Sequence, residues 1–238
     1  MANFKPIYDT TLKHEGGFQK FANDSANYVN GKLIGTNKGI SASAWATFYK
    51  RTPTEADMKA LTHEQAAEIF KKNYWNKING DKIKNQAVAQ MMFQFIIGSG
   101  ASQLSDLKDI ASITARKKGL LKSNDLPITD KEAEIINSIN PKAYWESMKY
   151  WRHSFFLKIV KKNPKLLQFL KGWQKRLNSY VFNDDGSLTN TSKGVGGVAF
   201  FFIDSLGNIN YSETPQERKA SENVGNETKE EIKPDEVV

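Results

Sequence analysis

Apolar residues recur at spacings of three and four through most of this chain, and that period predicts a mostly α protein. Phe4, Ile7, Tyr8, Thr11 and Leu12 mark a first helix over residues 2–14. Ser41 is placed to cap a helix from Ala42 to about Tyr49. Thr54 with Asp57 opens a short turn, and Thr62-His63-Glu64-Gln65 is a capping-box pattern ahead of a helix through Phe70 to about Trp75. The stretch Val88–Ile97 is apolar nearly all round, which predicts a buried central helix, ended by Gly98 and Gly100. Residues 102–118 read as an amphipathic helix through Leu104, Leu107, Ile110, Ala111 and Ile113. Thr129 and Glu132 repeat the capping box before a helix to about Ile139. Asn140-Pro141 and Asn163-Pro164 each combine an N-cap with a proline at the first helical position. They open a long helix, about Lys142–Val160, with Tyr144, Met148, Trp151, Phe155 and Ile159 on one side, and a last one from Lys165 to about Tyr180.

Two regions break the helical period. Residues 15–40 are rich in Gly, Asn and Ser and read as loop, with a short hairpin through Tyr28–Ile34. Near the end, Ala199–Asp204, Ser205-Leu206-Gly207-Asn208 and Ile209-Asn210-Tyr211 read as a small hairpin. From Ser212 onward the chain is charged and nearly free of large apolar residues, which predicts a disordered tail. The organisation expected is an N-terminal part over 1–82, a helical part packed on it over 83–211, and the tail over 212–238.

Charge sharpens this picture. The formal net charge is +8 over 238 residues, but Ser212–Val238 holds eight acidic and four basic side chains, so the tail is −4 and the body before it +12. A basic body suits a polyanionic partner such as nucleic acid, an anionic membrane surface or a bacterial wall. Cysteine is absent, which excludes disulfides and cysteine–metal sites. No apolar run approaches membrane-spanning length. The N-terminus lacks the apolar core of a signal peptide, so the expectation is synthesis in a cytoplasm, with release by another machine if the substrate lies outside.

The candidate chemistry lies in the first loop. His14-Glu15-Gly16-Gly17-Phe18 ends the first helix, Asp24 lies nine residues beyond Glu15, and Thr36 twelve beyond Asp24. Glycoside hydrolysis commonly takes a protonated acid at the leaving oxygen and a second carboxylate across the sugar. Glu15, with Phe18 and Phe21 as apolar walls, suits the acid, because an apolar surrounding raises a carboxyl pKa. Asp24, among Asn23, Ser25 and Asn27, suits the ionised partner, and Thr36 suits the orientation of a water. Each has a plain alternative: a glutamate before two glycines is often only a helix end, and Asp24 is a good turn former. Tyr28 and Asn27 are the candidate substrate contacts of the same loop. Gln94, the polar residue singled out in the apolar helix, either bonds within the core or reaches a cleft. Trp45, Tyr74 and Trp75 are aromatics at helical spacing, more in keeping with a core. His14, His63 and His153 are scattered and form no metal site, so no metal and no cofactor are expected.

Several motifs in order resemble one family. Glu15-Gly16-Gly17-Phe18, Asn23-Asp24, Gly35-Thr36-Asn37-Lys38-Gly39-Ile40-Ser41 and Tyr74-Trp75-Asn76-Lys77-Ile78-Asn79-Gly80-Asp81 are similar to glycoside hydrolase family 108. The second half, through Asp125-Leu126-Pro127-Ile128-Thr129, Arg152 with Phe155-Phe156, and Phe169–Leu177, resembles the predicted peptidoglycan domain usually fused to it. The resemblance implies a lysozyme-like helical fold and a muramidase acting on the β-1,4 bond between N-acetylmuramic acid and N-acetylglucosamine. It implies Glu15 as catalytic acid, with Asp24 and Thr36 at the family's positions. The stretch after Asp24 reads Ser25-Ala26-Asn27 where the family carries glycines. The partner implied is the peptidoglycan glycan strand, met by a monomer without nucleic acid, as for a phage endolysin or a wall-degrading component of a particle or secretion machine. A non-catalytic wall-binding or scaffold protein of the same fold is the alternative, and a helical nucleic-acid binder ranks third.

Overall fold

The computed structural model describes residues 1–12, 16–22, 24–97, 103–183, 185, 187–190, 200–203 and 209–212. The expectations placed on Lys13–Glu15, on Asn23, on Gly98 and Gly100, and on the acidic tail lie outside the described residues. Two compact units are present, Met1–Thr191 and Ser192–Val238.

The mostly α architecture is as the period predicts. In chain order the first unit runs α1 (Phe4–Leu12), β1 (Tyr28–Val29), β2 (Lys32–Leu33), β3 (Thr36–Asn37), β4 (Ile40–Ser41), α2 (Ala42–Tyr49), α3 (Glu55–Lys59) and α4 (His63–Phe70). It continues with α5 (Gln86–Ile97), α6 (Leu104–Thr114), α7 (Asp130–Ser138), α8 (Pro141–Lys162), α9 (Leu167–Ser179), β5 (Tyr180–Val181) and β6 (Thr189–Asn190). The caps read from sequence form. Thr54, Thr62 and Thr129 each make a full capping box, and the Asn140 side chain accepts from the Ala143 N–H at 2.9 Å. α4 does not run unbroken to Trp75. Lys71–Trp75 is a π-helical turn in which the Asn76 N–H reaches back to the Lys71 carbonyl at 2.9 Å. In the second unit, β7 (Phe200–Ile203) pairs antiparallel with β8 (Ile209–Ser212), the hairpin expected there.

α5 is the central helix: every residue from Ala87 to Ile96 is buried. Phe93 on α5 meets Phe4, Phe70 and Trp75 with ring centroids 5.7, 6.2 and 6.0 Å apart, in edge-on geometries favoured by the ring quadrupoles. Burying one such side chain contributes about 1.5–3 kcal/mol, so this cluster is a main source of stability for the N-terminal part. It also explains the Trp75–Asp81 motif. The Trp75 indole N–H donates to Asp81 Oδ1 at 2.8 Å, and a Cβ on Gly80 would lie 2.3 Å from the indole ring. Trp75 and Trp45 are therefore core residues, 0% and 4% exposed.

Two helical faces depart from the expected pattern. Ile113, read as part of the buried stripe of α6, is 63% exposed. On α8 the buried row is Tyr144, Met148, Arg152, Phe156 and Val160, while Trp151, Phe155 and Ile159 are only half-buried. The row turns because α8 packs against α5, α6 and α9 together. A helix with several neighbours has no single apolar stripe for a sequence to display.

Two short hairpins shape the first loop. Asn30-Gly31 and Lys38-Gly39 both occupy left-handed backbone, with φ of 51° and 73° and of 50° and 74°. That is the two-residue turn whose twist matches antiparallel strands. The first hairpin is the one expected. The second, β3–β4, accounts for the Gly35–Ser41 motif, whose Lys-Gly turn is its sequence signal.

Candidate active site

Asn27 is the centre of the loop between α1 and α2. Its Oδ1 accepts the Thr36 hydroxyl at 2.6 Å, and its Nδ2 donates to the Phe21 carbonyl at 2.9 Å and to Gln19 Oε1 at 3.1 Å. Its backbone N–H donates to the Asp24 carbonyl at 3.1 Å, and its carbonyl accepts from Ile34 and Gly35 at 2.8 and 3.1 Å. The residue is 0% exposed. Asn27 was expected among the substrate contacts; in this structure its side-chain amide is engaged in shaping the loop.

This network ties the Asp24 carbonyl and the Thr36 hydroxyl to Asn27. Asp24 caps the 3-10 turn Ser25–Asn27, its Oδ1 accepting from the Ala26 N–H at 3.0 Å. Among the described residues its second oxygen carries no hydrogen bond, and the side chain is half-buried. Thr36 pairs with Gln19 through two backbone bonds of 2.8 Å. Because the Thr36 hydroxyl gives its proton to Asn27, its oxygen is left as an acceptor. Gly35 is required between the two elements. Its φ is 122°, and a Cβ there would lie 2.6 Å from the Gln19 carbonyl and 2.9 Å from the Phe18 ring.

Tyr28 is half-buried and its hydroxyl donates to the Ala22 carbonyl at 3.0 Å, so only its ring remains for stacking on a ligand. Phe21 is 64% exposed at the same loop. The loop is tethered to α3 by Lys20, 2.7 Å from Glu55, and Lys20 and Lys59 together hold the Glu55 carboxyl down to about 2. Glu15 and its neighbour His14 lie outside the described residues.

Gln94 makes a hydrogen bond within the core. It is 6% exposed, its Nε2 donates to the Thr11 hydroxyl at 2.6 Å, and it lines a cavity of about 160 Å³ between α5, α8 and α9. Thr11 belongs to the last turn of α1, directly before the segment that carries Glu15 in sequence. The cavity also presents Arg152, Arg176, Phe155 and Trp173. Arg152 donates to the Phe95 carbonyl at 2.6 Å and lies over the rings of Phe95 and Phe156. Burial lowers its pKa to about 10, with Tyr180 opposing and Arg176 adding to the shift. Sequence reasoning carried Arg152 and Arg176 only as parts of motifs. Nothing in their spacing signals a shared cavity with Gln94. Among the described residues no group of three or more His, Asp or Glu side chains is arranged to hold a metal.

Residues 8–100 match the sequence model of the family Glycosyl hydrolase 108. The chain resembles that family. The match spans Glu15, Asp24, Thr36 and the Trp75–Asp81 motif. Among solved structures, that of Brucella abortus SagA is similar, with a TM-score of 0.57 and 23% identity, over 73% of this chain and 88% of that one. A likeness at this identity is one of fold, and it accords with the lysozyme-like helical architecture. No curated protein matches the chain. Among the described residues no helix is long and apolar enough to cross a membrane.

Proposed function

We propose that the protein is a peptidoglycan hydrolase, an N-acetylmuramidase cutting the β-1,4 bond between N-acetylmuramic acid and N-acetylglucosamine. The observation that carries this reading is the Asn27-centred loop, which presents an available carboxylate oxygen of Asp24 and an acceptor hydroxyl of Thr36 within the stretch that matches a glycosyl hydrolase family. In this scheme Glu15 protonates the leaving oxygen. Asp24 assists water or steadies positive charge on the sugar, and Thr36 aims the water. No cofactor takes part. The basic body, +12 before Ser212, suits an anionic wall and a role as phage endolysin or wall-degrading component.

The decisive experiment compares Glu15→Gln with wild type on purified peptidoglycan, following release of reducing ends. Loss of a positioned general acid lowers turnover by about 10²–10⁴-fold. The variant is expected to keep its far-UV circular dichroism and unfolding midpoint. Wild-type turnover by the folded variant sinks the assignment. Binding to the wall with no reducing ends released by either protein favours the non-catalytic reading, which the missing glycines after Asp24 motivate.

A further inference from the structure

The corner where α8 turns into α9 carries charge of one sign. From Ser147 to Asn183 the chain holds nine Lys or Arg and no Asp or Glu. Lys161, Lys162, Lys165, Lys171 and Lys175 are all exposed, and none of them forms a salt bridge among the described residues. Lys161 and Lys162 end α8, where a cation offsets the partial negative charge of the helix terminus. Lys165 lies in the 3-10 turn Pro164–Leu166 that leads into α9, and at a helix start the same dipole disfavours a cation. Helix electrostatics therefore account for two of these lysines and leave Lys165 unexplained.

Apolar side chains stand in the same corner. Leu167 is 57% exposed and Phe169 49%, both in the first turn of α9. Neither is needed to seat the helix, because Leu170 and Leu177 are buried in the core and Leu166 and Trp173 pack against it. Phe169 lies against the Trp173 ring with centroids 6.0 Å apart and planes 26° from parallel, which props it at the surface.

We propose that this corner docks on the surface of an anionic phospholipid bilayer, with Leu167 and Phe169 entering the boundary between headgroups and acyl chains and the lysines meeting lipid phosphates. The proposal goes beyond the muramidase reading and does not depend on it.

The pairing of the two side-chain classes selects this partner. A hydrophilic polyanion uses the lysines and leaves the apolar pair in water. A nucleic acid offers bases to stack on Phe169, but Leu167 has no ring face and gains nothing from phosphates. An anionic bilayer takes both: its surface potential attracts the lysines, and its acyl boundary receives leucine and phenylalanine. The long lysine stems keep their ammonium groups among the headgroups while the apolar residues go deeper. At 13 residues α9 is too short to span a bilayer, so the contact is one of surface.

The test is cosedimentation of the full chain with unilamellar vesicles of phosphatidylglycerol and phosphatidylcholine in equal parts, compared with vesicles of phosphatidylcholine alone. The wild type is expected to pellet with the anionic vesicles and to stay in solution with the neutral ones. Salt at about 1 M, where the Debye length is about 3 Å, is expected to weaken the binding. Lys161→Ala, Lys162→Ala and Lys165→Ala combined are expected to weaken it by about 100-fold, about fivefold per lysine. Leu167→Ser with Phe169→Ser keeps every lysine and is expected to weaken it by about 10–100-fold, since each side chain buries about half its surface anew. Unfolding midpoints check that the variants fold. Should the double variant not fold, Leu167→Ser alone, at the more exposed position, is expected to weaken binding by about three- to tenfold. Equal binding to both vesicle types, or unchanged binding after loss of either the lysines or the apolar residues, overturns the docking site. Binding of duplex DNA that falls with the lysines, without vesicle binding, assigns the corner to nucleic acid and overturns the bilayer. A dimer in sedimentation velocity that the Leu167 and Phe169 replacements abolish, again without vesicle binding, overturns it in favour of a second copy of the chain.

Discussion

Asn27→Ala isolates the device that joins Asp24 to Thr36. The substitution keeps the backbone bonds to Asp24, Ile34 and Gly35 and deletes those of the side chain. The two best of these are the 2.6 Å bond from Thr36 and the 2.9 Å bond to the Phe21 carbonyl. A buried polar group left without its partner costs about 1–3 kcal/mol, and two such groups beside a small new cavity give about 2–4 kcal/mol. With a urea m-value of about 2–3 kcal/mol/M, the midpoint falls by about 1–1.5 M. Activity should fall further than stability, because Thr36 loses the acceptor that fixes its hydroxyl. At a urea-free concentration where the variant is folded, turnover on peptidoglycan is expected to drop at least tenfold. Asn27→Asp is the companion. It keeps an acceptor for Thr36 but sets a carboxylate oxygen against the Phe21 carbonyl, and it should destabilise as much. An Asn27→Ala protein with the wild-type midpoint, or with wild-type turnover, refutes this account of the loop.

Other consequences are equally direct. Gly35→Ala forces a Cβ to 2.6 Å from the Gln19 carbonyl at a φ of 122°, and is expected to cost about 2–3 kcal/mol, lowering Tm by roughly 5–10 °C in a calorimetric scan. Gln90 is 1% exposed with no hydrogen-bond partner for its amide among the described residues, so Gln90→Met should stabilise by about 1–2 kcal/mol in urea unfolding. Burial pushes the His153 imidazole down to about 4, below its unfolded value of about 6.5, so the unfolded chain takes up the proton first as pH falls. Its contribution is complete above about pH 6.5 and is lost through the window down to about 4. Stability should fall by about 2 kcal/mol between pH 7 and pH 5, and His153→Met should flatten that slope.

Much of the fold was legible because its signals are local. Caps at Thr54, Thr62, Thr129 and Asn140 satisfy backbone groups within three residues, so the sequence that makes them also displays them. The all-round apolar run in α5 reported its own burial, since no other environment suits it. The π turn at Lys71–Trp75 was not legible. It serves the packing of Trp75 against Phe4 and Phe93, residues that no local pattern connects.

The same division runs through the candidate site. The sequence by itself identified the loop that carries Asp24 and Thr36, because glycines, a turn-forming aspartate and a helix cap are short-range statements about backbone geometry. Only the tertiary structure decided what each residue does there. Asn27 proved to be the buried hub, since a short amide can bridge three neighbours only when the chain has folded them around it. Gln94 and Arg152 share a cavity because helices distant in the chain pack side by side. Charge and hydrogen bonding act over a few ångströms in space, and separation along the chain does not record that distance.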